Sequence, residues 1–130
     1  MASKKKILSK KSAIQIELEE KQLVYVDAGF RIFPILFTNT LVGDHGNKLD
    51  GLTTFSPALI QIDADQNEEG IRETLIHEIF HIIAAITGLD PDDESEIRIK
   101  NEDLILQFSR GTMIIQRLNR ELWDILFKES

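Results

Sequence analysis

Residues 65–88 read DQNEEGIRETLIHEIFHIIAAITG, and their periodicity decides how the rest of the chain must be arranged. Ile71, Leu75, Ile76, Ile79, Phe80, Ile82, Ile83 and Ile86 recur at the three- and four-residue spacings of a helix. They cover so much of its circumference that the segment must be largely buried. Asp65 with Glu68 three positions on predicts an N-terminal cap, and Glu68 and Glu69 suit the positive end of the dipole. Gly88 followed by Pro91 predicts the stop.

Strand patterns precede this helix. Ile14, Ile16 and Leu18 alternate with polar residues, which predicts a half-buried strand with residues 23–26 as its returning partner. Residues 31–37 are rich in Ile and Phe, and Pro34 has no amide donor, so a strand there is expected to be an edge or bulged one. Residues 43–51 (GDHGNKLDG) read as a loop. Residues 52–55 and 58–63 flank Ser56-Pro57 as two short strands, with Ile60 and Ile62 on one face of the second. After an acidic connection at 90–94, a second helix is expected to begin between Asp93 and Asn101 and run to about Phe127. Its stripe of Leu104, Phe108, Gly111, Ile115, Leu118, Leu122 and Ile125 should pack on the first helix, with Gly111 either allowing close approach or marking a kink. The predicted class is α+β: a small, mostly antiparallel sheet packed on two long helices, formed by residues 13–130 as one domain behind a flexible basic segment at 1–12.

Composition narrows the function classes. The chain has 130 residues, 28% charged and 42% hydrophobic, which suits one small domain with its own core. It has no cysteine, so any metal must be held by His, Asp or Glu, and nothing favours secretion. Five lysines (Lys4, Lys5, Lys6, Lys10 and Lys11) precede any acid, leaving ten basic against 22 acidic residues, a formal −12, in the remainder. So acidic a body repels phosphate backbones, which makes nucleic acid an unfavoured partner. The longest apolar run, residues 82–86, is far too short to cross a bilayer, and no apolar signal region follows the lysines. A cytoplasmic protein with no membrane partner is expected.

The chemistry is concentrated in His77-Glu78-Ile79-Phe80-His81. Four residues apart on a helix, the two imidazoles project from one face a single turn apart and can reach one zinc ion at roughly 2.0–2.1 Å. Glu78 stands about 100° around the helix from His77, beside such an ion rather than on it, placed to accept a proton from water. A catalytic zinc site needs a third protein ligand and an open position. No third histidine follows, so the acids after His81 are the candidates: Asp90, Asp92, Asp93, Glu94, Glu96, Glu102 and Asp103. The first five fall in or near an acidic turn, and Asp103 has Lys100 and Gln107 as helical neighbours. Glu102 stands out because its helical neighbours are Ile99, Ile105 and Leu106, and a carboxylate on an apolar stripe needs a counter-charge. Ala84 and Ala85, about one turn beyond His81, are small enough to admit a second helix beside the metal face.

The run at 74–88, preceded by ALIQID at 58–63 and followed by Asn101-Glu102, resembles the small zincin metallopeptidases often encoded by phages and prophages, relatives of ImmA/IrrE-type and SprT-like domains. The resemblance spans about residues 50–120. It implies a zincin-like fold, a gluzincin-type site with zinc on His77, His81 and Glu102, and Glu78 as general base. It further implies a protein or peptide substrate lying along residues 58–63 as an edge strand, with Ile60, Gln61 and Ile62 holding it. Two departures stand out: Phe80 precedes His81 where many relatives have a small residue, and no residue clearly matches an oxyanion stabiliser, with His45, Tyr25 and Arg110 as candidates. A rival reading is a catalytically silent, zinc-stabilised phage protein that binds a host or regulatory partner, with His45 closing the coordination.

Overall fold

A computed structural model describes residues 11–88 and 101–128. Its elements in chain order are α1 (Ala13–Glu20), β1 (Tyr25–Asp27), β2 (Ile32–Thr38), β3 (Gly51–Phe55), β4 (Ala58–Asp63), α2 (Glu68–Ile86), α3 (Asn101–Leu118) and α4 (Arg120–Leu126). The class is α+β, as expected, but the sheet is mixed. In the order β1-β2-β4-β3, β2 pairs with β1 antiparallel and with β4 parallel, while β3 and β4 form an antiparallel hairpin. None of the helices among the described residues is long and apolar enough to cross a membrane.

The helix over 68–86 forms where the periodicity puts it, but its cap is Asn67, whose side chain accepts from the Gly70 amide at 2.8 Å. Asp65 is used elsewhere, accepting from the Thr40 amide and hydroxyl at 2.8 and 2.9 Å. Gly88, at φ +73°, ends the helix in a conformation that L side chains avoid. Pro91 and the acidic residues at 90–96 lie outside the described residues.

The strand expected at 14–18 is instead α1. Its apolar spacing satisfies both periods, since Ile14 and Leu18 are also one helical turn apart, and the ends decide. Ser12 caps the Gln15 amide, and the Glu68 carboxylate accepts from the amides of Ala13 and Ile14 at 2.9 and 2.5 Å. Ile14 and Leu18 are buried, whereas Ile16, which a strand would bury with them, is 42% exposed.

Pro34 is not on an edge strand either, because β2 lies between β1 and β4. It faces Tyr25 at a position where the ladder to β1 needs no amide, the bond there running from the Ile35 amide to Val24, and pairing with β4 begins only at Ile35. Residues 58–63 are likewise interior. Both edges of β4 are occupied, and Ile60 and Ile62 are fully buried, so Ile60, Gln61 and Ile62 cannot receive a peptide by strand addition. The edge strand beside α2 is β3.

One core joins the layers: Val26, Phe33, Ile35, Ile60 and Ile62 from the sheet meet Leu75, Ile79, Ile82 and Ile83 of α2, with Ile14 and Leu18 of α1 and Ile115, Leu122 and Ile125 completing it. Between α2 and α3, Gly111 serves close approach: a Cβ there would lie 2.6 Å from Thr87 Cγ2 and 3.0 Å from Ile83 Cγ2. The second helix does not continue to Phe127. It breaks at Asn119, whose buried amide accepts from the Asp27 N–H at 2.7 Å and donates to the carbonyls of Asp27 and Ile115 at 2.8 and 2.7 Å. Ties to β1 on one side and to α3 on the other outweigh helical continuity at this residue.

Candidate metal centre

Three sides of α2 define the site. Thr74 and Glu78 face β3, where Gly51 leaves room for them. Ile83 and Thr87 meet Gly111 of α3, and Phe80 packs edge-to-face on Phe108 at 5.5 Å. With 100° per residue, His77 and His81 fall on the arc between these two contacts. His77 is exposed and His81 half-buried, above a cleft of about 270 Å³ lined by Asp50, Gly51, Glu73, Thr74, His77 and Glu78.

The two imidazoles bring Nε2 to Nε2 at 3.2 Å, their rings 4.9 Å apart and inclined at 75°. Two nitrogens bound tetrahedrally to zinc at roughly 2.05 Å would be about 3.3 Å apart, so the pair already has the span of one edge of a zinc coordination sphere. Glu78 completes a group in which the ligand atoms of His77, Glu78 and His81 all lie within 4.8 Å of one another, the one such group among the described residues. Donor type and spacing both fit a divalent transition metal.

Glu78 is only 5% exposed, unusual for a carboxylate and tolerable because it is hydrogen-bonded. Thr53 Oγ1 donates to its Oε1 at 2.7 Å and lies 3.4 Å from its main-chain carbonyl oxygen. Gly51 sits against the other oxygen, an added Cβ falling 3.1 Å from Oε2 and 3.1 Å from Cγ. Sequence reasoning missed Thr53 and Gly51. The signal lay in strand alternation, since Gly51 and Thr53 share a face with Ile62 and Ile60, their partners across the hairpin, but nothing local to β3 says which helix that face meets.

Glu102 lies in the first turn of α3, and its side chain is outside the described residues. Of the apolar neighbours expected around it, Ile99 lies outside the described residues and the other two are exposed. Ile105 and Leu106 are 59% and 46% exposed, and the buried positions of α3 are Gly111 and Ile115, with Phe108 half-buried beside them. The small residue that faces α2 from α3 is Gly111, and it meets Ile83 and Thr87. His45 is exposed in the loop before β3 and is not part of the His77 group. Tyr25 stands on β1, at the opposite edge of the sheet from β3, so it cannot serve this cleft. Arg110 is exposed on α3.

No protein-family model, curated protein or solved structure matches this chain.

Proposed function

We propose that the chain is a zinc-dependent metallopeptidase of zincin type. The observation that carries this reading is the 3.2 Å approach of the two imidazole nitrogens with Glu78 held beside them in the lining of a cleft. His77 and His81 hold the ion, with Glu102 as the third ligand by the gluzincin resemblance. Bound zinc supplies Lewis acidity, polarising the scissile carbonyl and lowering the pKa of water toward about 7. Glu78 takes the proton of the attacking water and delivers it to the leaving amine. An extended peptide lies along the outer edge of β3, which no other described strand pairs, its backbone hydrogen bonds setting the carbonyl over the cleft.

Substituting the base separates binding from chemistry. Glu78→Gln should retain stoichiometric zinc while cleavage of an unfolded protein falls by roughly 10²–10⁴. His77→Ala should lose both. A Gln variant that cleaves as fast as the parent overturns the mechanism, and stoichiometric zinc in a parent that cleaves nothing assigns the chain instead to the silent zinc-stabilised class.

A further inference from the structure

We propose that Thr53 is a positioning residue whose hydroxyl holds the Glu78 carboxylate against β3 and thereby keeps it off a metal ion gripped by His77 and His81. The inference rests on the metal-centre reading and adds a residue outside the His-Glu-x-x-His motif.

A glutamate next to a histidine ligand has two fates. As a ligand it would share its charge with the ion and be a weak base; held aside, it keeps that charge for a proton. The group around His77 is tight enough, with every ligand atom within 4.8 Å of the others, for a rotation of the Glu78 side chain to decide between them. The structure contains a device that makes the choice. Thr53 Oγ1 donates to Oε1 at 2.7 Å, which ties that oxygen to β3. A neutral donor orients the carboxylate without cancelling its charge, as a lysine or arginine would. The donor is also stiffly mounted. Threonine is β-branched with restricted χ1, and Thr53 is fixed in register opposite Ile60 of an interior strand. Gly51, two residues away on the same face, leaves the space into which Oε2 fits. Strand β3 thus seats both oxygens, one by a bond and one by a gap, and Oε2 is left as the oxygen to receive the proton.

Cobalt(II) in place of zinc provides a test that does not depend on turnover, because its visible absorption reports coordination number and ligand type. The parent, Thr53→Ser, Thr53→Val and the double variant Thr53→Val/Glu78→Gln are loaded with cobalt and their spectra compared. Parent and serine variant should coincide. The valine variant should show a changed spectrum as the carboxylate swings onto the ion, and the double variant should return to the parental form. Thr53→Ala replaces the valine variant if the extra methyl group prevents folding. In parallel, the valine variant should lose roughly a hundredfold in kcat with KM unchanged, and serine should restore it. Full cobalt occupancy with a valine-variant spectrum identical to the parent's overturns the role of Thr53 while leaving the metal centre intact. A parent that binds no cobalt overturns both. A parent that binds cobalt and responds to Thr53→Val but cleaves nothing removes the peptidase reading and upholds the positioning of Glu78.

Discussion

At the scale of single residues, the site divides into what one helical turn dictates and what a neighbouring strand imposes. His77 and His81 were legible because the pitch of α2 alone puts them on one face a turn apart, within reach of each other, and their rotamers then bring the two nitrogens to 3.2 Å. Thr53 and Gly51 were not, because their relation to Glu78 depends on which face of a strand meets which side of the helix. Gly51 provides the sharpest steric test. Its absent Cβ would lie 2.6 Å from Thr74 Cγ2, and Thr74 cannot easily yield because its hydroxyl is hydrogen-bonded to Gln66 Oε1 at 2.9 Å. Gly51→Ala should therefore destabilise the fold by about 1–3 kcal/mol, read as a lower urea midpoint with unchanged slope. A midpoint equal to the parent's would show that β3 and α2 separate without resistance.

Among elements, the informative failures occur where two periods fit one stretch. Ile14-Gln15-Ile16-Glu17-Leu18 satisfies both an alternating strand and a helix turn, and the decision falls to hydrogen bonds at the start of α1. One of these partners, Glu68, is the first residue of α2 and far away in sequence, so the helix is specified by tertiary contact as much as by its own residues. Glu68→Ala should cost about 0.5–2 kcal/mol by leaving the Ala13 and Ile14 amides without their acceptor, and thermal melts should show it. The zinc content of the variant should match the parent's. No measurable loss would mean that Ser12 and water suffice to cap α1. The break at Asn119 has the same origin: its side chain pairs with Asp27, 92 residues earlier, and no local signal in a good helical stripe announces that partner.

For the whole molecule, metal binding should couple to stability, because His77 and His81 sit on α2, which contributes more buried core residues than any other single element. A ligand that binds only the folded state stabilises it by about 2.7 kcal/mol at a hundredfold excess over its Kd. Zinc should thus raise the melting temperature by several degrees, increasing with concentration, and a chelator should reverse it. His77→Ala should melt at one temperature with or without zinc; a parent that behaves the same way would rule out the metal centre. The order β1-β2-β4-β3, with its parallel β2–β4 pair, is also a property of this scale. It turned β4 from an expected edge into an interior strand, left β3 at the edge of the sheet, and so brought Gly51 and Thr53 to Glu78. From the sequence alone came α2, the two short strands on either side of Ser56-Pro57, the α+β class and the His77-Glu78-His81 triplet, because each depends on spacing within a short stretch of chain. Strand order, the helical state of α1, the break at Asn119 and the partners of Glu78 were decided only by tertiary structure, since each depends on a hydrogen bond or steric fit between residues whose separation along the chain carries no periodic trace.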